Sequence, residues 1–411
     1  MTLIQGIRAR EILDSRGYPT LEAELITNAG PARALVPAGT SIGKNEALEL
    51  RDKEKRYFGR GVRMAVHNVK KLSFRLQGME IPTQANLDAI MNEEDGTENK
   101  SRIGANVILA VSMAFSRVQA RENGVPLYQH VASLAGSKPR LPIPQMNILN
   151  GGKHAGFEND LQEHLIMPRG SSFSRSLEMG VEVYHRLKEN LKEKYGSSAT
   201  HVADEGGFAP KELEDTRVRL DAIMQAVNDL GYHQDIRLGL DAAATEFHYF
   251  GRYTLGSKDL SVDKLIDFYQ DLESSYPLAS LEDGLAEGDW NSWVALTRQL
   301  GERLALVGDD LLATNPKLVE KAVRLKACNA LLVKMNQVGT ITETLEAVRL
   351  AREAGWPIIV SHRSGETEDP FIADLAVGLG ADYCKFGAPA RGERTLKYNQ
   401  LLRIEEQLTK S

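Results

Sequence analysis

The sequence predicts an α/β protein: an N-terminal α+β domain over residues 1–138, then a TIM-type (β/α)8 barrel over residues 139–411. Three observations carry this expectation. Beyond about residue 140, short continuous apolar runs alternate with helix-length amphipathic segments, the pattern of a parallel sheet covered on both faces. Six such runs recur at similar spacing, which favours a closed barrel over an open sheet. Before that point the pattern is different, with period-2 strands followed by a helix that is apolar nearly all round.

In chain order, Leu21, Ala23 and Leu25 alternate with Glu22 and Glu24, the signature of a half-buried strand. Gly30 and Pro31 punctuate before a second short strand, Ala34-Leu35-Val36. The Gly-rich stretch Ala38-Gly39-Thr40-Ser41-Ile42-Gly43 reads as a loop. Residues 103–121 read as a core helix, and Pro139, Pro142 and Pro144 mark the domain junction. Then each apolar run ends on a polar residue. IRLGL meets Asp241, LASL meets Glu282, LALVG meets Asp309, ALLV meets Lys334, PIIVS meets His362 and ADYC meets Lys385. Segments such as 315–326 and 340–354 supply the helices between them.

Composition excludes several classes. The 411 residues carry 50 basic and 56 acidic side chains, a net charge of −6 that disfavours nucleic acid as a partner. Cys328 and Cys384 are the two cysteines, too few for a disulfide framework or a zinc cluster, which suits a reducing compartment. No apolar run approaches the ~18 residues of a membrane span. Arg8, Arg10 and Glu11 interrupt the segment where a secretory signal would lie. The expectation is a cytoplasmic protein with no membrane or nucleic-acid partner.

In TIM-type barrels the C-terminal ends of the strands carry the active site. Charged residues can end strands merely because strands end at the surface, yet that does not produce unlike charges at every strand. Asp241, Glu282 and Asp309 end three successive strands, and three hard oxygen donors suit Mg²⁺. Lys334 follows on the next strand, and an interior lysine beside a metal can have its pKa depressed and serve as a base. It can equally neutralise the three acids. Glu205 precedes Gly206-Gly207, Glu163 follows Gln162, and His154 lies in GGKHAG, each weak alone. Arg363, Ser364 and Lys385 add a bidentate cation, a hydroxyl and an ammonium, a set suited to a substrate with carboxylate and phosphate. GTSIGKN (39–45) imitates a phosphate-binding loop, but it has three residues between its glycines and Asn45 after Lys44, so no nucleotide site is expected.

Together these blocks resemble the enolase family over almost the whole chain. They are AREILDSRGYPT (9–20), ALELRD (47–52), MNILNGGKHAG (146–156), DEGGFAP (204–210), LEDGLAEGDW (281–290), GDDLLATNP (308–316), LLVKMNQVGT (331–340), SHRSGETED (361–369) and KYNQLLRIEE (397–406). The resemblance implies a barrel of the enolase kind, starting with two strands and two helices before regular alternation, and assembly as a homodimer or higher homo-oligomer. It implies reversible dehydration of 2-phosphoglycerate to phosphoenolpyruvate with two Mg²⁺ per site. Lys334 would then be the base at C2, and Glu205 the acid for the C3 hydroxyl, supported by Glu163. Asp241, Glu282 and Asp309 would hold the first metal, and Ser41 would help hold the second. Gln162, Arg363, Ser364 and Lys385 would contact substrate, with His154 and His362 near the phosphate and the leaving hydroxyl.

Several positions depart from the family pattern. The loop 38–43 carries Ala38, Thr40 and Ile42 where the family has Ser, Ala and Thr. Ala203 replaces Gly, Phe386 replaces Thr, Gly392 replaces Ser and Tyr18 replaces Asn. These changes keep two further readings open: a paralogue acting on a related phosphorylated or phosphonate substrate, of which carboxyphosphonoenolpyruvate synthase is an example, and a non-catalytic scaffold. The full set of acids, base and metal ligands argues against the scaffold, which has no physical need of them.

Overall fold

A computed structural model describes residues 1–39 and 43–410. The first domain opens with β1 (Thr2–Leu13), β2 (Pro19–Thr27) and β3 (Gly30–Leu35). It continues with α1 (Arg63–Leu76), β4 (Glu80–Ile81), α2 (Gln84–Asp95), α3 (Ala105–Glu122) and α4 (Leu127–Ala135). The strands form one antiparallel sheet in the order β3-β2-β1-β4. Leu21, Ala23 and Leu25 face inward and are fully buried, as the alternation requires. Helix α3 is buried on nearly every face because it lies between β2 and β3 on one side and the barrel's helices on the other.

The barrel domain follows with β5 (Ile143–Asn150), the one-turn α5 (Gly152–Ala155), β6 (Glu163–Pro168), α6 (Phe173–Tyr195), α7 (Thr216–Asp229) and β7 (Ile236–Asp241). The long step from Asp241 to Glu282 contains a small antiparallel sheet, β8 (His248–Tyr249), β9 (Arg252–Leu255) and β10 (Lys258–Leu260), before α8 (Val262–Ser275). Regular alternation then runs through β11 (Leu278–Glu282), α9 (Trp290–Leu300), β12 (Ala305–Gly308), α10 (Pro316–Leu325) and β13 (Ala330–Val333). It ends with α11 (Met335–Val338), α12 (Ile341–Glu353), β14 (Ile358–Ser361), α13 (Phe371–Gly378), β15 (Tyr383–Lys385) and α14 (Gly392–Lys410).

Eight strands close in the order β11-β12-β13-β14-β15-β5-β6-β7. The apolar runs alone suggested an all-parallel sheet, and here the structure differs: β6 is antiparallel to both neighbours. The cause is local. Residues 151–162 link β5 to β6 with only one helical turn between them, too short for a crossover to a parallel strand. The reversal has a consequence for the site. Glu163, first in β6, stands opposite Asn150 and Asp241, the last residues of β5 and β7. It therefore joins the strand-end residues although it begins a strand.

Ala330, Leu332, Val307 and Ile359 plug the barrel interior, with Ala305 and Tyr383 against them. Polar bonds stitch the domains together. Arg117 on α3 grips Asp369 at 2.8 and 2.5 Å, Lys100 pairs with Glu343 at 2.9 Å, and Asp88 accepts from the Thr342 amide at 3.0 Å. Among the described residues no helix is long and apolar enough to cross a membrane.

Candidate active site

The strand ends deliver their side chains to one buried cluster at the barrel mouth. Lys385 Nζ lies 2.9 Å from Asp241, 2.8 Å from both Glu282 oxygens and 3.0 Å from Glu163. Burial alone would discharge this ammonium, but the three carboxylates raise its pKa far above the ordinary value. Asp309 is turned to the next strand, where it pairs with Lys334 Nζ and accepts from Gln337 Nε2 at 2.8 Å. Asp241 and Glu282 thus meet one cation while Asp309 meets another. Burial lowers the Lys334 pKa most, but the Asp309 and Glu282 charges together outweigh it and raise the pKa above its ordinary value.

Across the mouth stands a pair of carboxyls. Glu205 Oε2 faces His362 Nε2 at 3.2 Å and receives Asn147 Nδ2 at 3.2 Å. Glu163 lies beside it, with His154 Nδ1 at 3.4 Å. Burial and the Glu205 charge push Glu163 well up, despite Lys385. Burial pushes Glu205 up too, but the His362 and His154 rings and the Arg394 charge outweigh it and hold it well below the carboxylate range. His362 is itself lowered to about 4 by burial, so its charge acts on Glu205 only in the acid range, and at neutral pH the ring gives Glu205 a hydrogen bond and no positive charge. The two carboxyls are thus driven apart, with Glu163 favouring the protonated form and Glu205 the ionised one.

Gln162 is buried beside Glu163, and its amide bonds the Asp241 carbonyl at 3.0 Å. Arg363 and Ser364 follow β14, and the Arg363 guanidinium is clamped by Glu46 at 2.9 and 3.2 Å. Glu46 lies just past the Gly-rich loop. The root of that loop is pinned to the site: Ala38 and Gly365 exchange backbone hydrogen bonds at 2.8 and 2.9 Å, and a Cβ added at Gly39 would strike the Arg363 guanidinium. Thr40, Ser41 and Ile42 lie outside the described residues. Two of the departures from the family pattern do not line the site. Phe386 is fully buried against Tyr398, and Ala203 closes a backbone turn with Gly207.

Sequence reasoning passed over Asp283, Asp310, Glu46, Asn147 and Arg394. Asp283 accepts the backbone amides of Asp309 and Asp310 at 3.0 and 2.8 Å from a left-handed conformation (φ 42°), so it fixes how Asp309 is presented. The doubled acids Glu282-Asp283 and Asp309-Asp310 were the available signal. Burial and the neighbouring Asp309 raise Asp310 to about 7.

The donor set fits a divalent cation. Asp283, Asp309 and Asp310 bring carboxylate oxygens within 4.8 Å of one another, and Asp241 and Glu282 offer further carboxylate oxygens from the ends of the adjacent strands β7 and β11. Buried acids outnumber cations around them, and burial with the Asp241 charge holds Glu282 well above its ordinary pKa, a cost that a bound cation relieves. A larger cleft of about 720 Å³ opens between α7, β10 and α8, but none of the strand-end groups lines it.

Two family profiles match the chain: "Enolase, N-terminal domain" over residues 4–131 and "Enolase, C-terminal TIM barrel domain" over residues 138–411. The chain is 50% identical over 415 aligned residues to a Methanopyrus kandleri protein named enolase, covering 99% of this chain and 96% of that one. It is 49% identical over 411 residues to a Pyrococcus furiosus protein of the same name, covering 98% and 95%.

Proposed function

The chain belongs to the enolase family, and from that premise we infer that it is a hydro-lyase catalysing reversible dehydration of 2-phospho-D-glycerate to phosphoenolpyruvate, a glycolytic step. One observation of its own supports the reading best. Lys334 follows β13 and Glu163 begins β6, and these strands are four apart in an eight-stranded ring, so the base faces across the mouth the Glu163 that adjoins the acid Glu205.

Lys334 Nζ takes the C2 proton, and the electron pair left behind forms the C2–C3 double bond. Glu205 hands a proton to the departing C3 hydroxyl, which leaves as water. Removing a proton beside a carboxylate piles charge on an already charged group. Asp241, Glu282 and Asp309 would hold a divalent cation, which would supply the positive charge that offsets it. We assign Mg²⁺ to that position on the oxygen-only donors and the family resemblance, and from the resemblance a second Mg²⁺ that Ser41 would help hold. Lys334 must shed its proton to act, and its hold on that proton weakens once Asp309 serves a cation. Glu205 must gain one, and a negatively charged substrate beside it favours transfer from Glu163. Arg363 and Ser364 suit the phosphate, with Glu46 leaving the guanidinium as substrate enters. His154 and Gln162 flank Glu163, and Lys385 balances the acids. The domain boundary near residue 138, a homodimer and a reducing compartment complete the proposal, the last supported by two buried free cysteines.

Phe386 and Ala203 stand away from the cavity, so neither favours a different substrate. The roles separate in an exchange experiment. Lys334→Ala should abolish exchange of the C2 proton with solvent deuterium. Glu205→Gln should keep that exchange while losing net dehydration. Equal loss of exchange in both variants, with substrate and metal still bound, contradicts the assignment.

A further inference from the structure

Arg394 lies in the first turn of α14, fully buried, and belongs to none of the roles above. Its guanidinium reaches four acceptors on two site segments, 362–364 and the loop at Asp204. Nη1 donates to His362 Nδ1 at 2.7 Å and to the Arg363 carbonyl at 2.6 Å. Nη2 donates to the Asp204 carbonyl at 3.0 Å and to the Ser364 carbonyl at 2.5 Å. A guanidinium has only donors and does not lose its proton in proteins. Facing it, His362 Nδ1 has to be the acceptor, because an N–H there would point at another N–H. The imidazole proton then resides on Nε2, which faces Glu205 Oε2 at 3.2 Å. An imidazolium, with a proton on both nitrogens, is excluded by the same contact.

We propose that Arg394 is a positioning residue that locks His362 as the neutral Nε2–H tautomer, a fixed donor to Glu205 that neither takes nor gives a proton during the reaction. The lock serves the acid. If His362 could accept a proton, Glu205 would have a competing base 3.2 Å away and would lose its proton to the ring instead of the substrate. With Nδ1 tied up and Nε2 already protonated, the proton on Glu205 can go back to Glu163 or forward to the substrate. The same guanidinium holds the carbonyls beside Glu205, Arg363 and Ser364, so ring orientation and carboxyl position are set by one group.

The charged surroundings of His362 are consistent with this. Glu205 faces it from the loop before α7 and Arg394 from α14. Glu366 lies on its own loop but is neutralised by Lys397 at 2.8 Å, and on β15 Lys385, whose carbonyl accepts the His362 amide, is engaged by acids. Burial and the Arg394 charge oppose an imidazolium, while Glu205 and Glu366 favour it, and the balance leaves the ring neutral well below pH 6.

The catalytic consequence rests on the proposed role of Glu205, but the tautomer does not, so two readouts keep them apart. In wild-type protein with ¹⁵N-labelled histidine, the His362 signal, assigned by its loss in His362→Gln, should show an unprotonated Nδ1 and a protonated Nε2 from pH 5.5 to 8. An Nδ1–H tautomer, or an imidazolium anywhere in that range, overturns the proposal without any variant of Arg394. In Arg394→Lys the ammonium cannot span the four acceptors. The ring, still buried, should then populate the Nδ1–H tautomer, seen as a protonated Nδ1 in the same ¹⁵N spectrum, and kcat should fall at least about tenfold while KM stays within about twofold. A loss of activity in the variant with the His362 tautomer unchanged would make Arg394 merely structural and contradict the lock. The expected tautomer together with normal activity of Glu205→Gln would leave the lock standing and sink the role of Glu205.

Discussion

Asp309 spends its two oxygens on Lys334 and Gln337, while Asp283 holds the backbone that presents it. As a direct ligand it should matter to a bound cation more than a residue behind the ligands, whose loss typically weakens metal binding 10–100-fold. Asp309→Ala should therefore stay folded and bind Mg²⁺ at least about tenfold more weakly by calorimetry, and unchanged binding would remove it from the ligand set. At this scale the sequence is legible where chemistry coincides with strand ends. Asp241, Glu282, Lys334, His362 and Lys385 all announce themselves by following an apolar run. Glu163 does not, because it begins a strand whose reversal no periodicity records. Arg394 does not either, because its work is done from a helix about thirty residues after the histidine it fixes. The pKa of Lys334 is not legible in the sequence, because burial can be anticipated there while the carboxylates that outweigh it are a matter of geometry.

Helix α13 packs between α4 and α14 and carries a buried acid, Asp374, with Gln400 Nε2 at 3.1 Å. Burial raises its pKa from 3.8 to about 6. The fold thus favours the protonated acid, and the stability this confers is complete below pH ~4 and is lost as pH climbs through about 6. Asp374→Asn removes a proton-linked term and should flatten that decline. Relative to wild type, the variant should gain about 1–3 kcal/mol between pH 4 and 7 in denaturant titrations. A constant offset across that range would show that Asp374 titrates normally. Helices α10 and α12 lie within a residue or two of the amphipathic segments that announced them, because burial of one face creates a periodicity of 3.6. The small sheet β8–β10 left no such mark, since its short strands bury few side chains.

The whole molecule places an α+β domain against a barrel so that Ala38, Gly39 and Glu46 from the first reach Arg363 and Gly365 of the second. The site is therefore assembled by both domains, a feature that the joining of lid and barrel motifs in one chain foreshadows without geometry. Repeated strand-helix units made the barrel legible. Its irregular start came from the family resemblance, because a one-turn connection looks like any loop. The central claim is that this assembly dehydrates 2-phosphoglycerate with a divalent cation. The measurement is the growth of phosphoenolpyruvate absorbance on 2-phosphoglycerate, taken in excess chelator and again after Mg²⁺ is restored, with Lys334→Ala in parallel. We expect no turnover in chelator, full recovery with Mg²⁺ and none in the variant. Undiminished turnover in chelator, or no turnover by wild type with Mg²⁺ in excess, would contradict the claim.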